Sequence, residues 1–506
     1  MNNNREKLEP RKEFYLQALK GRAEVYGLVG RFDAGLVDLK TALRQSVGPM
    51  AKAEIDLLIA SNLTRGSSDN RRALMIIQKT LRSLTPVRAP KLRAQGYAAL
   101  GNVYMVLGDY PRAKAFLKRA LLAFEKTGDH VKLVHLFQIL GVVYVKLGDF
   151  KQALKYLRQS LKICIRRQLV LNAGYICNEI GQLHQERSEF AKAENFFRRA
   201  LECAHKTGDK RLTAALQGNL GINYALTNNN TRALEYFHRY LDTCRTIGFL
   251  RGIGIATGNI GNIFILRGDL AAARRHLLEQ QAIAQRTGFK RDIGLSAYNL
   301  GIIYRTRGDW EKARSSYRQS LAVACEQQDK CSIGLAWLGL GELAIDTGRE
   351  REAVKNLASA RRFLAGIGDK VSLALVQNHR ARLEIMRGSY GPALARAQKA
   401  LKSIDRIGSR ETEVTIMQTI AAAQARRSRF AEAESHLNRA IQICRKVGMD
   451  LELAKTRLEL GRVYMAQGRK REARDILNEA RKIFTWAGAK PALKEIKKLV
   501  KELNAV

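Results

Sequence analysis

The 506-residue chain contains few of the residues that interrupt helices or cross-link a fold. It has only 7 prolines, which is compatible with long, uninterrupted helices. No apolar run approaches the roughly 20 residues that a membrane-spanning helix needs. Its 7 cysteines include no C-x-x-C pair, and Cys164, Cys244 and Cys444 share one register. We therefore expect buried, unpaired thiols and a reducing, cytoplasmic compartment.

Motifs of catalysis and of nucleotide binding are also lacking. The chain contains no H-E-x-x-H, no G-x-S-x-G and no G-x-x-x-x-G-K-[ST], and its 8 histidines are scattered. We expect no catalytic residue, no metal site and no cofactor, and so a protein that is not an enzyme. The first residues, Met1–Lys7, lead into a charged helix, so we also expect no secretory signal.

Acidic residues are scarce relative to basic ones. The chain has 88 Lys and Arg against 47 Asp and Glu, a net charge of +41. The excess is spread along the whole chain rather than gathered in a tail. Such a charge bears on partners and solubility, not on the fold.

What the sequence does contain is a period of 40 residues. Glycine recurs at 101, 141, 181, 221, 261, 301, 341 and 461, and alanine follows twelve positions later from Ala113 to Ala473. Within one unit, apolar spacing predicts a helix over 94–107 and a second over 110–126. Gly108-Asp109 separates the two helices, and Gly128 suits a left-handed C-cap. A fixed period of this size is the signature of a solenoid, and a solenoid favours binding over catalysis.

The repeated pattern resembles the tetratricopeptide repeat (TPR). Leu300-Gly301, Tyr304, Ala313 and Tyr317 match its signature, although the family's usual period is about 34 residues. Longer units of this kind are similar to Leu-Gly-Asn adaptors, kinesin light chains and bacterial signalling TPR arrays. The resemblance implies an all-α, right-handed superhelical α-solenoid of about twelve TPR-like helical hairpins.

The two ends depart from the regular pattern. We predict degenerate TPR-like repeats over residues 1–90, where Ser61 replaces the glycine and Pro86 and Pro90 mark a break. The regular 40-residue array spans 91–488. Residues 489–506 form a capping helix with a polar face, as a solenoid end requires.

The resemblance implies that the first helix of each repeat lines a concave groove. Asn219, Asn259 and Asn299 form a ladder there, and their amides either hold an extended peptide backbone or tie neighbouring repeats together. The other groove positions proposed for partner binding are Asn178, Gln182, Asn262, Tyr298, Arg305, Asn378 and Arg382, with Asn102, Glu342 and Asp346 also facing inward. Groove cations and anions nearly balance.

The excess positive charge follows the helix ends on the same 40-residue beat. These cations either complement helix dipoles or form basic edges for nucleic acid or an acidic protein. Matched acids at helix N-termini, which the dipole explanation also requires, are expected to be sparse. The predicted edge residues are Arg187, Arg267, Arg307, Arg387 and Arg427 after first helices, and Lys126, Arg166, Lys206, Arg286, Arg406 and Lys446 after second helices.

These observations together predict a non-enzymatic protein-interaction scaffold or adaptor. It would bind a peptide or a helix of a partner protein in the groove. An acidic partner is one of the expectations. One alternative is nucleic-acid or ribonucleoprotein binding through the basic edges. Another is a sensory or regulatory subunit of a signalling or transcription system.

Overall fold

The protein is all helical wherever the structure describes it. A computed structural model describes residues 3–28, 31–66, 69–84, 89–404 and 409–504. These residues form 25 α-helices: α1 (Asn3–Leu28), α2 (Phe32–Gln45), α3 (Pro49–Gly66), α4 (Asn70–Ser83), α5 (Pro90–Val106), α6 (Tyr110–Thr127), α7 (His130–Lys146), α8 (Phe150–Arg166), α9 (Val170–Glu186), α10 (Phe190–Thr207), α11 (Lys210–Leu226), α12 (Asn230–Thr246), α13 (Leu250–Arg267), α14 (Leu270–Thr287), α15 (Lys290–Arg307), α16 (Trp310–Glu326), α17 (Lys330–Asp346), α18 (Glu350–Ile367), α19 (Lys370–Met386), α20 (Tyr390–Ile404), α21 (Arg410–Ala425), α22 (Phe430–Val447), α23 (Asp450–Ala466), α24 (Lys470–Ala487) and α25 (Lys490–Asn504).

These helices pair into twelve antiparallel hairpins followed by α25, as the period predicts. The predicted boundary at Pro86 lies outside the described residues, and Pro90 begins α5. Within the described ranges, no helix is long and apolar enough to cross a membrane.

Gly-Asp pairs separate the helices by capping both ends. Gly128 ends α6 with φ of 68°, a left-handed conformation that glycine adopts without strain. Asp129 then accepts a hydrogen bond from the backbone N–H of Lys132 at 3.2 Å, which satisfies one free N–H at the start of α7. Aspartates cap helix starts in the same way at residues 69, 109, 149, 269, 329 and 369. The expectation that acids are sparse at helix N-termini was therefore wrong.

The recurring glycine makes room for a large side chain of the second helix. A Cβ on Gly101 would lie 2.5 Å from Cγ of Leu117, and a Cβ on Gly181 would lie 2.5 Å from the ring of Phe197. The same contact recurs between Gly301 and Tyr317. The first helix therefore approaches the second helix closely only because no side chain intervenes.

The chain divides into two compact units, residues 1–212 and 213–506. In the first unit, apolar residues of α1–α5, among them Leu19, Leu39, Ile55 and Ile77, form a common core. The degenerate N-terminal repeats are therefore folded hairpins with their own buried contacts.

The second unit winds through a full superhelical turn and closes on itself. Helix α13 packs against α23, and α15 packs against α25, so five hairpins complete one turn. A single core joins Leu277 and Leu300 to Leu451 and Ile496. The Asn230 amide also donates a 2.9 Å hydrogen bond to the carbonyl of Val447.

First helices lie on the inner side of this turn. Each of α13, α15, α17, α19 and α21 packs against the next first helix, whereas successive second helices show no comparable packing in the described residues. The inner face formed by first helices α13–α23 is called the lumen below.

Candidate functional site

Charged side chains from three successive first helices meet in the lumen. Arg305 on α15 donates to Asp346 on α17 at 2.5 Å and lies 3.0 Å from Glu342. Arg382 on α19 donates to the other oxygen of Asp346 at 2.9 Å. The sequence placed all four residues in the groove, and the structure brings them together as one network.

The network is internally neutralised. Burial alone would raise the pKa of Asp346, but the guanidinium groups of Arg305 and Arg382 outweigh burial and lower it to about 2. Side chains of Arg305 and Asp346 are 11% and 21% exposed. Because each cation already faces a carboxylate, the network holds the first helices in register and leaves no spare positive charge.

Two aromatic rings and a histidine surround this network. Tyr317 is fully buried and stands where neighbouring repeats carry Leu or Phe. Its ring lies between Gly301 and Gly339 and contacts Tyr298 with ring centroids 5.7 Å apart. His379 is also buried, and burial together with the nearby cations Arg382 and Arg305 lowers its pKa to about 4, despite Glu342. His379 is therefore neutral at physiological pH.

The asparagine ladder is half-buried, and two of its members, Asn259 on α13 and Asn299 on α15, lie on helices of the lumen. Asn219, Asn259 and Asn299 each retain partial exposure. The amide of Asn299 donates to the side-chain oxygen of Asn262 on the preceding first helix at 2.6 Å. Tying of neighbouring repeats, one of the two predicted roles, is thus present at this pair.

Asn378 does not fit the predicted groove. Its side chain is completely buried, and neither amide atom has a hydrogen-bond partner among the described residues. It therefore presents no surface to a partner, because α19 turns this position into the packed interior between helices.

Two predicted groove residues, Asn178 and Gln182, lie on α9 of the first unit. Asn178 is half-buried and Gln182 is exposed. Beside them, Glu179 accepts a 2.6 Å hydrogen bond from Gln138, and burial raises the pKa of Glu179 to about 7 despite this bond. These residues form a small polar face of the first unit.

Acidic residues on α21 and α23 complete the lumen, and the sequence analysis missed both of them. Glu452 is bonded to Lys455 at 2.6 Å, but Glu411 is solvent-exposed and makes no ion pair among the described residues. Surrounding protein raises the pKa of Glu411, and the neighbouring Glu452 and Glu342 raise it further. Glu411 escaped notice because it stands in the first turn of its helix. Equivalent positions carry Arg211, Arg251 and Arg291, a reversal of charge that the sequence does contain.

The predicted basic edges are only partly available. Cations after second helices are exposed at Lys126, Arg166, Lys206, Arg286 and Lys446, whereas Arg406 lies outside the described residues. After first helices, Arg427 is exposed, Arg187 pairs with Glu189, and Arg387 pairs with Glu350.

Arg267 and Arg307 were expected to be exposed on a basic edge, but they are not. Both are half-buried, because the closing turn lies beside them. Arg307 lies next to Gly488, and Gly268 lies next to Trp486. Packing of the C-terminal hairpin therefore covers this part of the edge.

Metal coordination finds no support in the part of the chain that the structure describes. No group of three or more His, Cys, Asp or Glu side chains there is placed to hold a metal ion.

An array of helical hairpins with one shared period and a polar inner face defines a helical-repeat solenoid. Models of the tetratricopeptide repeat match residues 92–166, 174–246, 252–326 and 412–485, and residues 298–365. The chain belongs to the tetratricopeptide repeat family. The matched stretches leave α1–α4, α25 and residues 366–411, which contain α19 and α20, uncovered.

Solved structures with similar helical arrays share little sequence with this chain. A chain of the APC/C hetero-tetramer Cut9–Hcn1 is 15% identical with a TM-score of 0.49, over 95% of this chain and 88% of that one. A Rap protein complexed with competence and sporulation factor is 14% identical with a TM-score of 0.44, over 75% and 99%. Yeast Tom70 is 13% identical with a TM-score of 0.37, over 97% of each chain. No curated protein matches the sequence.

Proposed function

We propose that this protein is a non-enzymatic adaptor whose lumen binds an extended or helical segment of a partner protein. TPR solenoids are typical of protein-interaction scaffolds, and extended repeat surfaces serve this purpose. The observation that carries the proposal is the lumen itself, where half-buried amides on α13 and α15 adjoin a charged face on α17–α23. Cytoplasmic location belongs to the same proposal, and all seven cysteines are free, as a reducing compartment requires.

The lumen charges favour a partner segment with a positive charge. Arg305 and Arg382 are committed to Asp346 and Glu342, and Lys455 to Glu452. Glu411 is the carboxylate of this set that has no ion pair among the described residues. A lysine, an arginine or a free amino terminus would neutralise it. The proposal therefore departs from the earlier expectation of an acidic partner, since these lumen cations are all paired.

The asparagines supply contacts that do not depend on the partner's sequence. A side-chain amide offers both donors and an acceptor, so Asn259 suits the backbone of an extended segment. Asn299 keeps one further N–H after its bond to Asn262. We expect these residues to hold the backbone and Glu411 to select the side chain.

Capture from cell lysate at high salt with nuclease tests this function. A photo-crosslinking residue placed at position 299 should link the chain to a defined protein, and peptide mapping should locate the linked segment. The triple variant Asn219→Ala/Asn259→Ala/Asn299→Ala should lose that partner, and Glu411→Gln should weaken it about tenfold. Arg318→Gln, an exposed change on α16, is the matched control and should bind normally. Retention of the partner by both lumen variants would contradict the proposal.

The alternative function is nucleic-acid binding through the exposed cations after second helices. Its support is the exposure of Lys126, Arg166, Lys206, Arg286 and Lys446 together with the net charge of +41. Such binding would be steeply salt-dependent and blind to sequence. In the same capture experiment it would appear as nuclease-sensitive material that disappears at high salt. A regulatory subunit would use the same lumen, and the identity of the captured partner decides that third possibility.

A further inference from the structure

A second cavity lies between α18, α19 and α20, away from the lumen. It is an open pocket of about 660 Å³ in the second unit. Its lining contains no acidic residue, and its five charged members are all basic: Arg361, Lys370, Arg380, Arg396 and Lys399. On α19 the pocket-lining Leu373 and the lumen residue Arg382 are nine positions apart, which places them on opposite faces of the helix. The pocket is therefore a separate site.

Two of these cations stand where other repeats bury apolar side chains, and a third stands where other repeats carry a half-buried aromatic ring. Arg380 occupies the position of Leu140, Ile180 and Leu340, all of them buried. Arg361 occupies the position of Leu121 and Leu161, which are also buried. An arginine at such a position loses the apolar packing of Leu or Ile and introduces a positive charge.

The third exchange involves an aromatic position. Arg396 stands at the repeat position that holds an aromatic residue in earlier repeats, namely Phe116, Tyr156 and Phe196. The next residue, Ala397, stands where those repeats have Leu or Phe. With smaller and polar side chains at these places, the space between α18, α19 and α20 is left open.

Charge balance in the pocket is one-sided. Arg396 is bonded to Glu384 at 2.7 Å and to Gln377 at 3.1 Å. Arg361, Lys370, Arg380 and Lys399 form no ion pair among the described residues. The mutual repulsion of four unpaired cations around one cavity is relieved when an anion enters.

We propose that this pocket binds a small organic phosphate. A phosphate group carries about two negative charges and three strong acceptor oxygens, and arginine forks match its geometry. A volume of this size falls in the range of small-molecule sites, roughly 300–1,000 Å³. The wall formed by Leu373, Ala374 and Pro392 offers an apolar surface for the body of the molecule.

Calorimetric titration of the full chain at 0.15 M salt, with inorganic pyrophosphate, ADP and citrate as probes, tests this site. We expect pyrophosphate and ADP to bind with one-to-one stoichiometry, ADP at least as tightly as pyrophosphate, and citrate at least tenfold more weakly. Saturable binding of neither phosphate at millimolar concentration would overturn the proposal. Citrate binding as tightly as pyrophosphate would overturn the assignment to phosphate.

Variants separate this site from the general positive charge. Arg361→Leu/Arg380→Leu restores the residues of the other repeats, so it should fold and should weaken pyrophosphate binding at least tenfold. Lys370→Gln/Lys399→Gln changes exposed residues and should weaken it several-fold. Arg318→Gln/Arg351→Gln removes the same charge from exposed positions elsewhere in the second unit and should leave it unchanged. Equal losses in all three variants would show a non-specific effect of net charge. Capture of a protein partner by the lumen is measured independently of these titrations.

Discussion

Five hairpins from α5–α6 to α13–α14 and the single hairpin α19–α20 use the same two positions in opposite ways. In the five, rings of the first and second helix pair with centroids 5.4–5.6 Å apart: Tyr104 and Phe116, Tyr144 and Tyr156, His184 and Phe196, Tyr224 and Tyr236, Phe264 and His276. In α19–α20 these positions hold Glu384 and Arg396, joined by an ion pair. Helix caps and small residues still define hairpin α19–α20, although the side chains at these two positions between its helices differ.

This difference distinguishes hairpins that mainly stabilise the solenoid from the hairpin that carries charged sites. Aromatic pairs contribute about 0.5–1.5 kcal/mol beyond the area they bury, whereas a partly exposed ion pair contributes about 0–1 kcal/mol. Hairpin α19–α20 lacks the stabilising contribution of an aromatic pair and instead carries charged side chains on both of its faces. One face carries Arg382 toward the lumen, and the other carries Arg380 and Arg396 into the basic pocket.

The largest predicted effect concerns His379, which stands where the ladder has Asn219, Asn259 and Asn299. Its pKa is about 4 in the folded state and about 6.5 when unfolded. Between these values the unfolded chain binds more protons, so the free energy of unfolding falls as the pH is lowered from 6.5 to 4. The contribution is on the order of 3 kcal/mol.

Urea unfolding of the wild type and of His379→Asn between pH 7.5 and 4 measures this contribution. The variant should lose less stability over the window, so the difference between the two proteins should shrink or reverse as the pH falls. The groups around His379, namely Arg305, Arg382, Glu342 and Asp346, are the same in both proteins. Parallel pH profiles would show that His379 does not titrate in this way.

A smaller effect is expected at the recurring glycine. Gly181→Ala should lower the free energy of unfolding by about 1–2 kcal/mol, because its Cβ would lie 2.5 Å from the ring of buried Phe197 and the cost of overpacking exceeds the helical gain of alanine. In α19 the same position is already Ala381, opposite Ala397. There Ala381→Gly should cost about 1 kcal/mol through helix propensity and a further amount through loss of a buried methyl group.

Gly366→Ala is the control for both glycine exchanges. A Cβ at this helical position on α18 meets no atom within 4 Å, so the exchange should raise stability by about 0.4–1 kcal/mol. Equal changes at Gly181 and Gly366, measured by urea unfolding, would show that close approach of the helices is not what selects the glycine.

The period made most of the fold predictable. Hairpin boundaries, the capping helix and the grouping of Arg305, Glu342, Asp346 and Arg382 all follow from residues that recur or fail to recur at intervals of 40. Closure of the second unit was not predictable, because it depends on a small rotation per repeat accumulated over five hairpins. Coverage of Arg307 by the C-terminal hairpin was missed for the same reason, whereas the burial of Asn378 depends on how α19 packs against its neighbouring helices. The basic pocket was detectable in principle, because Arg380 is the one arginine at a position that holds Leu or Ile in every other repeat from residue 100 to residue 460.

A double-mutant cycle tests whether hairpin α19–α20 can be given the aromatic pair of the five other hairpins. Arg396→Phe alone should destabilise, because it leaves half-buried Glu384 without its guanidinium partner. Glu384→Tyr alone should cost less, since Arg396 keeps its bond to Gln377 and reaches solvent. The double variant should regain part of the loss by forming the ring pair seen at Tyr224 and Tyr236, with a coupling energy of about 1 kcal/mol in a double-mutant cycle. Strictly additive single changes would mean that the two positions do not act as a pair in this hairpin, and that its ion pair is an exposed contact rather than a replacement for the rings.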